Sequence, residues 1–353
     1  MSAESIEDFL ARESARRKAA SDPNEHSNGA PSGYHLAGVS TQRKVTFADG
    51  SKGVQWVKTR ADQVDPEMVL DAFRYAVAST PPAARPLIPP SAHHNEDLLT
   101  VYPMGDPHLG MLSWHRETGE DFDIAIAERN LFAAVDHLVG LAPASHTALI
   151  INLGDFFHSD NFQGVTARSG HRLDVDSRWP KILVVGINTM TRIIDRALEK
   201  HANVRVINEI GNHDDQSAIM LSVCLESRYR DNPRVEIDTS PSPFHFYEFG
   251  KALIGVHHGH GVKAGELPGL MAHDMPEAWG RTKHRYWYCG HVHHESKIEK
   301  HGVLVESFRT LAPRDAYAHG GGWRSGRSMV LDVHHKNHGR IQRHEVGISM
   351  LAA

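Results

Sequence analysis

The chain has 353 residues, a formal net charge of −5, 40% hydrophobic and 23% charged side chains, the balance of a globular protein with room for one large α/β domain plus appendages. No apolar run reaches the roughly 18 residues of a membrane span, a net negative chain does not bind nucleic acid by bulk charge, and two cysteines, Cys224 and Cys289, are too few for a disulfide framework. Neither a membrane nor a disulfide-linked partner is therefore expected, and the composition that stands out is 27 histidines, the commonest imidazole metal ligands, so their positions matter.

The opening MSAESIEDFLARESARRKAA is charged, lacks the apolar core of an export signal and points to a cytoplasmic location. Residues 1–32 read as a flexible segment, with a short helix allowed over Ser5–Ala20 before a stretch rich in Ser, Pro, Asn and Gly. Residues 33–95 read as a small accessory region. Strand-like alternation turns at Ala48–Ser51 into a hairpin, and Met68, Val69, Ala72, Phe73 and Ala76 give Pro66–Ala78 a helical spacing. STPPAARPLIPPSAHH then forms an extended linker. From residue 96 to 353, strands alternate with helices, the pattern of an α/β layer architecture. LLTVYPMGD is a strand, Ile124–Leu141 a helix, TALIINLGD a buried strand and Trp179–His201 a long helix. VRVINEIGNHD is a further strand, FHFYEFG and KALIGVHHGH a hairpin, YWYCGHVHH a strand, and the C-terminal residues a hairpin turning at Asn337–Gly339.

In five places an apolar strand stops and metal-capable residues follow at once. They are Asp106-Pro107-His108, Gly154-Asp155, Gly211-Asn212-His213-Asp214, His257-His258-Gly259-His260 and Gly290-His291-Val292-His293. In open α/β folds ligands gather beyond the carboxyl ends of strands. Carboxylate and imidazole without thiolate suit manganese, zinc, iron or nickel. Asp155 is the natural bridge between two ions, which would clamp a phosphate and hold a hydroxide for in-line attack. His213 suits the proton donor to the leaving oxygen, and Asp214 the carboxylate that orients it.

The segments GDPHLG, NLGDFFHS, GNHD, HHGH and GHVH, in this order, resemble the calcineurin-like metallophosphoesterase family over roughly residues 98–335. They are most similar to its SbcD-type DNA-repair nucleases and to phosphoesterases of phages and prophages. The resemblance implies a four-layer αββα sandwich with the small N-terminal region appended. It implies Asp106, His108, Asp155 and His293 around one metal, and Asp155, Asn212, His258 and His291 around the other, with His213 and Asp214 catalytic. His257 and His260 remain alternatives to His258. Strand alternation turns His257 away from its neighbour. The implied activity is two-metal hydrolysis of phosphodiester bonds, in DNA first and with manganese first. The alternative is a small-molecule phosphodiesterase or phosphatase acting on cyclic nucleotides or related esters. No capping domain follows GHVH and no ATPase-docking segment is evident, which separates the chain from the SbcD-type nucleases.

Outside the motifs, His158, Arg172 and His260 are candidates for substrate contact. Lys263, Arg281, Lys283, His284 and Arg285 read either as a basic rim or as scattered surface charge. Gly320–Gly322 reads as a loop over the crevice. Trp287 and Cys289 read as core. Nothing fixes the oligomeric state, and a homo-oligomer stays open.

Overall fold

The computed structural model describes residues 39–46, 52–59, 70–71, 74–75, 93–166 and 169–351. The chain divides into two compact units, Met1–Tyr75 and Ala76–Ala353. In the first, β1 (Val39–Thr46) and β2 (Lys52–Thr59) form the expected antiparallel hairpin, in register from Val39↔Thr59 to Thr46↔Lys52. Leu70, Asp71, Arg74 and Tyr75 are helical. The helix expected over Ser5–Ala20, the turn at Ala48–Ser51 and the proline-rich linker up to Ala92 lie outside the described residues.

The second unit is built on two mixed sheets. The larger holds β3 (Asn95–Met104), β4 (Ser145–Asn152), β5 (Asn203–Asn208), β6 (Val235–Ile237), β12 (Ser328–His335) and β13 (Gly339–Gly347), in the order β13-β12-β3-β4-β5-β6. From β3 to β6 the strands are parallel, and β12 and β13 close one edge antiparallel. The smaller sheet holds β7 (His245–Phe249), β8 (Ala252–Val256), β9 (His284–Cys289), β10 (Ser296–Lys300) and β11 (Val303–Ser307), in the order β10-β11-β9-β8-β7.

Strand alternation makes the layers. Leu99, Val101, Leu149, Ile151 and Ile207 on one sheet meet Ile254, Val256 and Tyr288 on the other in one buried cluster. Leu253, Trp287, Cys289, Val303 and Val305, on the opposite face of the smaller sheet, pack on Leu267, Met271 and Ala278 of the helices Leu267–Asp274 and Pro276–Arg281. The helices Ile124–Leu141, Trp179–Leu198 and Ser217–Tyr229 pack on the larger sheet. The result is the four-layer αββα arrangement. Each fully buried aliphatic side chain in it contributes about 1.5–3 kcal/mol by leaving water.

Ile124–Leu141 starts where Asp123 accepts the Ile126 amide at 2.7 Å. The long helix begins with Pro180 in its first turn and ends at Leu198, three residues before the expected end at His201. The chain leaves the helix there to bury His201, whose ring bonds Tyr102 and Ser145, each at 2.8 Å.

Candidate metal centre

The carboxyl ends of β3, β4, β5, β8 and β9 all lie on one side of the two sheets, because these strands are parallel to their neighbours within each sheet. The five polar segments of the sequence follow those ends directly. Asp106, His108, Asp155, His258, His291 and His293 form two interleaved groups, Asp106–His108–His293 and Asp155–His258–His291, each with ligand-capable atoms within 4.8 Å of one another. His108 Nε2 lies 3.1 Å from His293 Nε2, which lies 3.5 Å from Asp106. His258 Nε2 lies 3.3 Å from Asp155 and 3.1 Å from the Asn212 amide oxygen. Donors about 2.0–2.2 Å from one divalent ion, at tetrahedral or octahedral angles, stand roughly 3.0–3.5 Å apart. The residues present therefore fit divalent ions.

The backbone is bent to achieve this. Among the described residues, six non-glycine residues have positive φ, and five of them are Asp106 (45°), His108 (47°), Asp155 (51°), His291 (70°) and His293 (56°). Each such residue costs of order 1–3 kcal/mol, and strain of this kind collects at functional sites. Two glycines make room. Gly154, at φ 94°, sits where a Cβ would come within 2.5 Å of His258 Nδ1, and a Cβ on Gly211 would stand 2.0 Å from the Asp155 carboxylate.

Hydrogen bonds behind the cluster fix which nitrogen faces it. His258 Nδ1 lies 2.7 Å from the Leu153 carbonyl, and His213 Nδ1 lies 2.9 Å from the His158 carbonyl. A carbonyl only accepts, so both Nδ1 atoms carry hydrogen and both Nε2 atoms face inward. Asp214 accepts from the amides of Asp155, Phe157 and Gly211 at 3.1, 3.1 and 2.9 Å. It thereby clamps the turn that carries Asp155. The group that orients the His213 ring is the His158 carbonyl, not the Asp214 carboxylate as the sequence suggested. Adjacent side chains in a tight turn do not share a direction, which is why the pair parts.

No arginine or lysine pairs with Asp106 or Asp155 among the described residues; imidazoles are their only side-chain charge partners. Burial works against a charge on His258, but Asp155 and then Asp106 outweigh it and lift the ring to about 10. Burial would raise Asp155, yet His258 and His213 bring it well below the usual carboxylate range. Burial, then the charge of Asp155, pushes Asp214 well up.

His158 is 1% exposed, which keeps it from substrate. Its Nδ1 lies 3.2 Å from His108 Nδ1 and its ring stacks on His213, so it braces two members of the cluster. Burial, then His213, pulls it down to about 3. Arg172 is exposed in a short bridge with Val165 and, among the described residues, makes no hydrogen bond or ion pair with the cluster. His260 is half-buried, its ring 5.2 Å from that of His258. His257 points elsewhere: its Nδ1 donates to the Pro243 carbonyl at 2.9 Å and its ring stacks on Phe244. Arg281 pairs with Glu248, and Arg285 lies over Trp279 and donates to two carbonyls near the start of β9, the end of that strand opposite His291. They are structural, not a rim to the site. Trp287 and Cys289 are buried in the core. Sequence reading missed Glu209, a buried carboxylate 3.6 Å from His245 and 3.9 Å from His257, which burial raises well above the usual range. Its place one residue beyond β5 was the available signal.

No protein-family model matches the sequence, and no curated protein matches it. Solved structures do. One is a conserved uncharacterized protein of Streptococcus pneumoniae described as a predicted phosphoesterase, 12% identical, with a TM-score of 0.28, covering 71% of this chain and 98% of that one. Another is Vps29 of Entamoeba histolytica complexed with zinc, 12% identical, with a TM-score of 0.29, covering 70% of this chain and 99% of that one.

Proposed function

We propose that the chain is a metal-dependent phosphoesterase that hydrolyses phosphodiester bonds, with DNA as its substrate. The observation that carries this reading is the convergence of Asp106, His108, Asp155, Asn212, His258, His291 and His293 at the strand ends, five of them on positive-φ backbone. Two divalent ions bound to these side chains, manganese first and zinc, iron or nickel also suited, would supply Lewis-acid charge and a water ionised near neutral pH.

The chain's own residues do the rest. Asp155 belongs to the group with His258 and His291, its Oδ1 accepting the His213 amide at 2.8 Å and its Oδ2 near His258, and as a carboxylate it has the second oxygen that a bridge between two ions would need. The Leu153 and His158 carbonyls keep the two inward nitrogens aimed. His213 Nε2, 4.0 Å from Asp155 and partly exposed, is placed to bind a phosphate oxygen or protonate the leaving one. His291, Val292 and His294 are exposed beside the cluster, so the centre opens to solvent on this side. An open side suits a strand passing across better than an enclosed small molecule, which favours DNA over a cyclic nucleotide.

The test is hydrolysis of bis-p-nitrophenyl phosphate, p-nitrophenyl phosphate and labelled single- and double-stranded DNA by metal-stripped protein with manganese restored. Diester and DNA cleavage that vanishes in Asp155→Asn supports the reading. Turnover of the small esters alone removes DNA and leaves the cyclic-nucleotide alternative.

A further inference from the structure

Two segments leave the Asp106 side of the centre and stay together. The first follows His108, whose carbonyl accepts the Met111 amide at 3.0 Å, and runs through Ser113 to Trp114 and the short helix His115–Thr118. The second follows Thr310, whose hydroxyl donates to the Asp106 carbonyl at 2.6 Å, and runs through Arg314 to the helix Ala316–Gly320 and Trp323. Ser113 Oγ donates to the Arg314 carbonyl at 2.7 Å, and the two short helices lie side by side.

Among the described residues the exposed aromatic side chains are Trp114 at 51%, Tyr317 at 60% and Trp323 at 57%, and all three stand on this pair of segments. Trp323 lies 5.5 Å from Tyr317, and the exposed His171 lies 4.7 Å from Tyr317 on its other contact. Trp114 follows His108 by six positions, a reach of at most about 20 Å.

Three guanidinium groups on these segments have no carboxylate partner among the described residues. Arg116 lies 5.2 Å over the Trp114 ring, and Arg314 and Arg324 donate only to backbone carbonyls. The neighbouring Arg309 and Arg327 do have such partners, Glu345 and Glu120. Exposed rings beside unpaired guanidinium groups are the usual means of holding a single nucleic-acid strand, whose bases stack while its phosphates meet the cations. Surface aromatics serving as a contact for a protein would not require the cations to be unpaired.

We infer that Trp114, Tyr317 and Trp323, with Arg116, Arg314 and Arg324, form a stacking platform that holds single-stranded DNA beside the metal centre. This rests on the reading of that centre as a phosphodiesterase. The platform supplies what the centre alone does not, a grip on the bases that is indifferent to their identity.

The test uses the full chain stripped of metal with EDTA, so that no strand is cut, and the anisotropy of a fluorescein-labelled oligothymidylate. Trp323→Ala and Tyr317→Ala should each weaken binding roughly tenfold, the worth of one stacked base. Arg324→Gln should lower the slope of log affinity against log salt by about one. Ile298→Ala, a comparably exposed side chain on the edge strand β10, should leave affinity at the wild-type value. Unchanged affinity in both aromatic variants, or equal loss in Ile298→Ala, overturns the platform. Hydrolysis of bis-p-nitrophenyl phosphate by wild-type protein with manganese separates the two readings. Turnover of that ester together with unaltered oligonucleotide binding in the variants overturns the platform alone, whereas no turnover overturns the centre.

Discussion

Asp332 and Asp155 are both buried carboxylates, at 0% and 2% exposure, but their surroundings differ in kind. Asp332, on β12, accepts from Arg343 at two positions 2.7 Å away, from Arg340 at 3.1 Å and from the Tyr288 hydroxyl at 2.7 Å. The same two arginines hold Glu306 on β11, so the network ties the two sheets at their β13 side with its negative charge answered by fixed cations. Asp155 has no guanidinium, only imidazoles and backbone amides. The imidazoles answer its charge with protons that they can give up, as a guanidinium cannot, so a divalent cation can take their place. The first arrangement holds the molecule together and the second leaves a place for chemistry.

That contrast breaks most sharply at Asp155. Asp155→Asn should lower turnover of bis-p-nitrophenyl phosphate about a thousandfold or more, because several kcal/mol of charge stabilisation depend on the ions it helps hold. Its unfolding midpoint without metal should fall by less than that of Asp332→Asn, since the imidazoles facing Asp155 can shed their protons when the carboxylate is lost and guanidinium groups cannot. Asp332→Asn should do the reverse. With Arg340 and Arg343 left facing Glu306 alone, urea unfolding should show a loss of about 3–5 kcal/mol, while bound metal per folded chain stays at the wild-type figure. Equal stability in both variants would remove the distinction between the two carboxylates.

A smaller change sharpens the comparison from the backbone side. Gly211→Ala would drive a methyl group against Asp155, a displacement costing about 1–3 kcal/mol. Its expected signature is a weakened affinity for manganese by calorimetry, with the secondary structure intact by circular dichroism. The smallest effect is one of pH. The His245 ring beside Asp238 holds that carboxyl down to about 2. A depressed carboxyl stabilises the fold above its unfolded value near 3.9 and loses that contribution as pH falls through about 2. Melting temperatures measured between pH 5 and pH 2 should therefore fall slightly more steeply for wild type than for Asp238→Asn.

Much of the fold was legible because pattern and burial agree. Ile124–Leu141 has an apolar stripe at helical spacing and a capping Asp123, and both of its ends match the structure. The strands ahead of Asp106, Asp155 and His258 are continuous apolar runs, which parallel buried strands require. The strand Ser296–Lys300 escaped notice because it is an edge strand with its side chains largely exposed, so it shows no alternation. At the centre, residue types and their place after strands were readable, while directions were not. Sequence adjacency joined Asp214 to His213, whereas in the fold the carboxylate accepts from three backbone amides. His158 looked like a substrate residue because it follows Asp155 by three positions, but the turn that bends at Asp155 carries it inward.

The most direct measurement is metal content. Protein stripped with EDTA, reloaded with manganese, passed through a desalting column and analysed by plasma mass spectrometry should hold about two ions per chain, as a two-metal site requires. The same treatment should leave Asp155→Asn with less than one. Wild-type protein that retains no manganese, zinc, iron or nickel, or an Asp155→Asn variant that retains as much as wild type, would contradict the account of the cluster as a metal centre.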